Sequence, residues 1–198
     1  KNDLESREVQ GNPSDIQKEA MRIQFIGMIG HRLSAETIAA AGPVFDKDYK
    51  SRVARAHEDA GFDRLLGAHA SDQPEGFLVT ALAGLSTEKI KFLLAHRPGF
   101  VSPTLAARKF ATLHQLLDNR LAVHIISGGS DAEQRKDGDF LSHDERYARS
   151  EAFLDVVRDV WTHDKPFDFS NTYYRAEQAV SAIRPPADQP IPVFFGGS

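Results

Sequence analysis

The sequence predicts an α/β protein with five parallel strands, and if the fold is a (β/α)8 barrel, only its first five strands are present. Short apolar segments alternate with segments of helical length, and polar residues or glycines follow the apolar segments. Such regular alternation favours a parallel sheet with right-handed crossovers. A complete barrel takes eight units and about 250 residues, whereas this chain has 198 residues. A doubly wound sheet is the alternative, but no Gly-x-Gly-x-x-Gly follows any predicted strand.

The chain is predicted to begin with a polar extension over residues 1–20, and residues 21–198 are predicted to form one barrel domain. The first strand is the apolar segment 21–29. An alanine-rich stretch over 34–44 follows. Because this stretch is longer than a typical βα loop, we expect it to cover a site.

The second and third units follow the same plan. The helix 49–60 carries small apolar residues at spacings of three and four and ends at Gly61. The strand 62–66 comes next, followed by the helix 75–85 and the strand 89–96. The centre of this third strand is apolar at consecutive positions, which is typical of a parallel strand buried on both faces.

The fourth unit contains the segment that most strongly indicates a site. Pro103 suits the first turn of a helix over 104–117, and Ser102 is its predicted N-cap. The helix leads to a buried strand over 121–126, which is soon followed by a pair of glycines. Ligands bind at the carboxyl ends of strands in parallel α/β proteins, so we expect this strand to present polar groups to a ligand.

The last unit is predicted from weaker patterns. Residues 128–139 are interpreted as a polar loop, and 145–162 as a helix. A short hairpin outside the main sheet is predicted within 167–174, and the fifth strand covers 192–195. The core face of the last helix is predicted to comprise Phe153, Val156, Val157 and Val160.

The composition excludes several classes of function. The net charge is −4 and there is no Lys/Arg-rich run, so nucleic acid is not a predicted partner. The chain has no cysteine, which excludes disulfides, thiolate metal sites and cysteine nucleophiles. No apolar run approaches the roughly 20 residues that span a bilayer. The sequence therefore predicts no membrane partner and a cytoplasmic location.

Histidines concentrate at the predicted carboxyl ends of the strands and in the loops that follow. This placement favours a functional use for them, and a metal site is the rival interpretation. No His-x-His or His-Glu-x-x-His spacing supports a metal, so none is predicted. Asp131 and Asp144 could form an acid–base pair, although solvated or capping roles fit them better. The histidines concerned are His31, His69, His96, His124 and His143.

Four separated segments carry a shared pattern. They are 91–108 (KFLLAHRPGFVSPTLAAR), 119–131 (NRLAVHIISGGSD), 137–147 (DGDFLSHDERY) and 192–198 (PVFFGGS). In this order they resemble the bacterial luciferase-like flavin monooxygenases, and within that superfamily the alkanesulfonate monooxygenase group. The resemblance extends from about residue 21 to the end of the sequence.

The resemblance implies a TIM barrel that binds FMN at the carboxyl ends of its strands. It implies that a separate flavin reductase supplies reduced FMN (FMNH2), with which O2 oxidises a small organic substrate. In the alkanesulfonate group the reaction cleaves a carbon–sulfur bond. We therefore expect a two-component monooxygenase that acts on a sulfonate or other organosulfur compound, and a homo-oligomeric assembly.

The resemblance also implies which residues contact the cofactor. Contacts at the ends of strands two to four, from His69 to Ser127, are expected to face the flavin ring. His143 and Tyr147 match a His-x-x-x-Tyr pair near the ribityl chain and phosphate. Gly197 and Ser198 match a Gly-Gly-Ser turn that binds phosphate. His31 and His96 are expected near the substrate by position only, and no catalytic acid or base is assigned. The expected FMN contacts are His69, Ala95, His124, Ser127, His143, Tyr147, Gly197 and Ser198.

The sequence departs from the alkanesulfonate pattern in one loop. Those enzymes carry a cysteine-containing loop after the second strand, where this chain has 71–75 (SDQPE). In those enzymes the His and Arg residues that contact the sulfonate follow the fifth strand, so the four matching segments do not include them. Two alternatives stay open, an F420-dependent oxidoreductase of the same superfamily and a non-catalytic flavin-binding protein. We expect the chain to be the N-terminal part of a longer barrel rather than a truncated relative that closes its sheet by association.

Overall fold

A computed structural model describes residues 23–30, 33–35 and 37–196. The predicted extension 1–20 lies outside the described residues, as do the first two residues of the predicted strand 21–29. The expected site residues His31, Gly197 and Ser198 lie outside them too. The structure therefore bears on the remaining predictions only.

The described residues form nine strands and five helices. The strands are β1 (Ile26–Met28), β2 (Leu33–Ala35), β3 (Ile38–Ala41), β4 (Arg64–Gly67), β5 (Lys91–His96), β6 (Leu121–Ile125), β7 (Phe167–Ser170), β8 (Arg175–Ala179) and β9 (Val193–Phe195). The helices are α1 (Lys47–Asp59), α2 (Gly76–Leu85), α3 (Pro103–Leu116), α4 (Asp131–Lys136) and α5 (His143–Thr162). None of these described helices is both long enough and apolar enough to cross a membrane.

The main sheet has five parallel strands in the order β1-β4-β5-β6-β9. This order follows the chain without reversal. Successive strands of a β/α barrel are arranged in this way, whereas a doubly wound sheet reverses at a switch point. The predicted parallel sheet is confirmed.

The two faces of this sheet carry different residues, because successive side chains of a strand point to opposite sides. The helix-facing side includes Phe92, Leu94 and Val123, which are buried in one core with residues of the helices. We call the opposite side the inner face. On it, Leu93 and Ala95 of the central strand β5 are buried, whereas Met28 of β1 and Phe194 of β9 are exposed. Residues of the inner face include Ile26, Met28, Leu93, Ala95, His124 and Phe194.

The predicted helices are confirmed, and local capping explains where they begin. Asp46 accepts hydrogen bonds from the backbone N–H groups of Asp48 and Tyr49, which fixes the start of α1. Ser142 and Glu145 form a reciprocal capping box at the start of α5. Ser102 occupies the N-cap position of α3 as predicted, but its side chain makes no capping hydrogen bond.

Two predicted loops are wrong in part. Residues 128–139 contain the short helix α4, and residues 34–44 contain the strand β3 of an antiparallel β2–β3 hairpin. A six-residue polar helix has no apolar periodicity to reveal it, and Ala-rich residues favour no period of two. The predicted hairpin outside the main sheet is confirmed as β7–β8, although it extends to Ala179.

Candidate functional site

The carboxyl ends of the central strands bring two expected site residues together on the inner face. Ala95 of β5 pairs in register with His124 of β6, and His124 pairs with Phe194 of β9. Residues in register on parallel strands share a face, so the three side chains form one row. The small Ala95 side chain leaves space beside the imidazole of His124.

The imidazole of His124 occupies space that a side chain at residue 196 would need. A Cβ atom at Gly196 would lie 2.8 Å from His124 Nε2, which is closer than such atoms approach one another. Burial lowers the pKa of His124 below its usual value. The imidazole is therefore neutral near pH 7, with one nitrogen able to donate and the other able to accept a hydrogen bond.

An open cleft of about 450 Å³ lies between the ends of β6 and β9 and the part of α5 from Tyr147 to Arg158. Ser127, Tyr147, Ser150 and Gly196 are among the residues that line it. The Oγ atoms of Ser127 and Ser150 are 3.3 Å apart. Apolar side chains, among them Leu154 and Phe195, and the oppositely charged Glu151 and Arg158 complete the lining. The hydroxyl groups beside Gly196 can hydrogen bond to a phosphate or similar group.

His143 and Tyr147, the expected His-x-x-x-Tyr pair, lie together at the start of α5. Their ring centroids are 4.8 Å apart, and His143 Nδ1 is 3.2 Å from the carboxylate of Asp144. The N-terminal turn of a helix carries partial positive charge, which favours an anion nearby. The structure thus places Tyr147 at the same cleft as Ser127, with His143 in contact with Tyr147.

His69 lies apart from the cleft, in the loop that follows β4. Its Nε2 atom is buried and has no hydrogen-bond partner among the described residues. Burial is the main cause that lowers the pKa of His69, with a further contribution from the positive charge of Arg97. The ring at this edge of the sheet is therefore neutral near pH 7 and carries a buried polar atom without a described partner.

A buried arginine network beside His69 was missed by the sequence reasoning. Arg97, directly after β5, forms ion pairs with Glu133 at 3.1 Å and with Asp137 at 3.5 Å. It also donates to Ser71 Oγ at 3.3 Å. These contacts join the loops that follow β4, β5 and β6, so they fix the edge of the sheet on which the site lies. The run of charges in 131–137 is the signal that could have indicated this network.

His96 does not lie where it was expected. The structure places it on the helix-facing side of the sheet, opposite to the inner face that bears Ala95 and His124. Its ring is 5.0 Å from that of Phe110 and 5.3 Å from that of Phe153, and only 6% of the residue is exposed. Burial lowers the pKa of His96 to about 3. We therefore assign His96 to core packing, not to the substrate.

Comparison with known proteins gives a family for this arrangement. The family model described as luciferase-like monooxygenase matches residues 23–198. An FMNH2-dependent dimethylsulfone monooxygenase from Pseudomonas putida is 37% identical over 164 residues, which are 78% of this chain and 44% of that protein. The chain thus spans less than half the length of this curated relative.

Two solved structures share the fold. An EDTA monooxygenase from Chelativorans sp. BNC1 is 18% identical with a TM-score of 0.77, and the match covers 90% of this chain and 50% of that one. An F420-dependent secondary alcohol dehydrogenase, in complex with an F420–acetone adduct, is 21% identical with a TM-score of 0.73, covering 89% and 53%. The predicted fold, part of a luciferase-like β/α barrel, is confirmed. Because the family model matches most of the sequence, the chain belongs to the luciferase-like monooxygenase family.

Proposed function

We propose that the full-length protein is an FMNH2-dependent monooxygenase that uses O2 to oxidise a small organosulfur compound. One observation carries the proposal. In a chain of this family, a hydroxyl-lined cleft at Ser127 and Tyr147 adjoins the Ala95–His124 row of the inner face, and Gly196 lies between them. A cleft that offers hydroxyl groups beside the Ala95–His124 row matches a ligand with a phosphate at one end and a large ring at the other.

The residues of the site fit FMN in two groups. The first group, His69, Ala95 and His124, lies beside the flavin ring. Ala95 leaves space for the ring, and each neutral histidine can donate or accept one hydrogen bond. The second group holds the phosphate through hydroxyl and backbone N–H donors. It comprises His143, Tyr147, Gly197 and Ser198. We add Ser127, which the resemblance implies beside the ring, because it lines the cleft with Tyr147.

Reduced FMN, when bound, supplies the electrons with which O2 is activated, so that one oxygen atom enters the substrate and the other leaves as water. The residues of this chain contribute position and environment. His124 can hydrogen bond to the ring without adding charge, because burial keeps its imidazole neutral. Leu93 and Ala95 give the inner face an apolar surface that excludes water from the reacting groups. A separate flavin reductase is the proposed source of FMNH2.

The proposed substrate class comes from the 37% identical relative, which is named for dimethylsulfone. A small sulfone or sulfonate has tetrahedral sulfur with polar oxygens and short alkyl groups. Such a molecule needs a small pocket with few polar contacts above the flavin ring. The inner face at Ala95 is consistent with a compact substrate of this kind.

Anaerobic titration of the full-length protein with FMNH2 tests the cofactor. We expect saturable binding that His124→Ala weakens about tenfold. His163→Ala is the matched control, because His163 lies at the C-cap of α5, donates to the Asp159 carbonyl and is not among the residues that line the cleft. Absence of FMNH2 binding by the unaltered protein would overturn the proposal.

O2 consumption with FMNH2 tests the reaction and the substrate. Dimethyl sulfone, a short alkanesulfonate and a short alkane without sulfur are offered in parallel. We expect substrate-dependent oxygen use with at least one of the two sulfur compounds and none with the alkane. Oxygen use that is equal with all three, or equal without any of them, would contradict an organosulfur substrate.

An F420-dependent oxidoreductase is the second candidate, because a solved F420-dependent dehydrogenase shares the fold at a TM-score of 0.73. F420 is also a phosphorylated flavin analogue, so the same cleft would suit it. Reduction of F420 by a secondary alcohol, with no oxygen consumed, would favour this candidate over the monooxygenase.

A further inference from the structure

Arg146, in the first turns of α5, is buried and has every one of its described side-chain contacts on the segment that follows β6. Its Nε donates to the carbonyl oxygen of Ser127 at 3.0 Å, and one terminal nitrogen donates to that of Gly128 at 3.2 Å. The other terminal nitrogen donates to the carbonyl of Leu141 at 2.7 Å and pairs with Asp131 at 2.9 Å. The guanidinium group therefore holds this segment at four points.

The burial of this charge calls for a reason. Only 1% of Arg146 is exposed. A buried cation costs several kcal/mol unless it is paired and fully hydrogen bonded. Asp131 supplies the opposite charge and three carbonyls supply acceptors, and the planar fork of arginine suits several acceptors at once. A side chain of this kind fixes one geometry of the loop that it binds.

The geometry that it fixes is that of the cleft. Ser127 forms one wall and Tyr147, the next residue after Arg146, forms the other. The guanidinium joins the two walls, since it leaves α5 and binds the main chain at Ser127. In a trans peptide the carbonyl and the following N–H point in opposite directions. The N–H groups of Gly128 and Gly129 therefore point away from Arg146.

Anchoring of α5 to the protein core does not depend on this residue. Phe153, Val156, Val157 and Val160 pack in the core further along the helix. Ser142 and Glu145 cap its first turn independently of the Arg146 side chain. Loss of the guanidinium should therefore act first on the loop and the cleft.

We infer that Arg146 is a positioning residue, which sets the Ser127–Gly128 turn against Tyr147 so that the cleft is preformed for the phosphate of the flavin. The inference rests on the proposed function, because it takes FMN as the occupant. It adds that the affinity for the phosphate depends on a side chain that does not line the cleft.

The test compares FMN with riboflavin, which has the same ring and no phosphate. In the full-length protein, we expect Arg146→Met to weaken FMN binding about 30-fold and riboflavin binding less than about threefold. Arg146→Lys keeps the charge but cannot reach all the carbonyls, so it should recover only part of the FMN affinity. Binding is measured by quenching of flavin fluorescence, and urea unfolding reports how far each variant is destabilised.

Arg149→Met is the matched control, because Arg149 also lies on α5 and forms a buried pair with Asp139, but has no contact with Ser127 or Gly128. We expect it to destabilise the fold without changing the ratio of FMN affinity to riboflavin affinity. An equal loss for both flavins in Arg146→Met and Arg146→Lys, no loss in either, or the same FMN-selective loss in Arg149→Met, would overturn the inference. Failure of the unaltered protein to bind FMN would overturn the proposed function. The outcomes above, with FMN bound by the unaltered protein, would overturn this inference alone.

Discussion

The helix-facing side of the sheet and its inner face differ in how far this chain covers them. Phe92 and Leu94 on the helix-facing side are fully buried, whereas Met28 and Phe194 on the inner face are 57% and 39% exposed. The core between sheet and helices is therefore closed around β5 and β6, although Phe195 of β9 on the same side is 65% exposed. The inner face, by contrast, has the apolar character of a barrel interior without the cover that a closed barrel gives. The two histidines at the strand ends divide accordingly, His96 into the core and His124 onto the inner face.

The largest difference is expected from truncation of a large side chain on each face. Phe153→Ala should lower the free energy of unfolding of the 198-residue chain by about 3–5 kcal/mol, because the ring is fully buried and leaves a cavity. Met28→Ala should cost less than about 1 kcal/mol, because more than half of Met28 is already in water. Urea unfolding followed by circular dichroism measures both.

A chain that covers the inner face sharpens this comparison. In a longer protein in which further strands pack on Met28, the cost of Met28→Ala should rise to that of a buried methionine, about 2–5 kcal/mol. Equal costs for Phe153→Ala and Met28→Ala in the 198-residue chain would show that the two faces do not differ as described.

The next effect is the pH dependence that His96 gives to stability. Burial lowers its pKa from 6.5 to about 3 in the folded protein. Between these values the unfolded chain binds a proton that the folded protein does not, so stability rises with pH. The contribution is complete above pH 6.5 and is lost as the pH falls towards 3. From pH 7.5 to pH 5 the loss should be about 2 kcal/mol.

His96→Phe isolates this contribution, because an aromatic ring of similar shape replaces one that titrates. Unfolding free energies of both proteins at pH 7.5 and pH 5 give the difference, in which the other titrating groups cancel. We expect the variant to lose about 2 kcal/mol less than the unaltered protein over this interval. Parallel pH profiles would mean that His96 is accessible to protons in the folded state.

The facing of His96 illustrates what a sequence can and cannot predict. The long apolar runs of β5 and β6 predict these two strands. The regular alternation of strand and helix segments predicts that they lie side by side in a parallel sheet. In β5, however, apolar residues occupy both faces, so no alternation shows which face His96 joins. The sequence predicts that a histidine ends this strand, but only the packing of Phe110 and Phe153 shows that it turns towards the helices.

Arg146 illustrates a second limit. The sequence indicates a helix start around 144–146, and helix starts are commonly charged and exposed. Its burial follows from carbonyls at Ser127, Gly128 and Leu141, and no local pattern encodes the return of that segment to α5. The pair His143 and Tyr147 was predicted from the family resemblance alone, because the predicted helix 145–162 left His143 outside it. The structure begins α5 at His143, and the spacing of four then places the two side chains together.

A smaller effect, of about tenfold in flavin affinity, is expected at the boundary between the two regions. Gly196→Ala would place a Cβ atom 2.8 Å from His124 Nε2 and displace the ring from the inner face. The same substitution in a His124→Ala background should have little effect, because the obstructing ring is gone. FMN titration of the four proteins of this double-mutant cycle measures the coupling. Additive losses would show that Gly196 acts independently of His124.

The smallest expected effect is a difference in stability between N-cap substitutions in two helices, α5 and α3. The Ser142 side chain accepts a hydrogen bond from the backbone N–H of Glu145, so Ser142→Ala should cost about 1 kcal/mol of stability. Ser102 holds the same position in α3 but makes no such bond, and Ser102→Ala should change stability by less than about 0.3 kcal/mol. Thermal unfolding of the two variants side by side tests this. A cost at Ser102 as large as that at Ser142 would show that the α3 cap forms in solution, and that the start of α3 is held as firmly as the start of α5 beside the cleft.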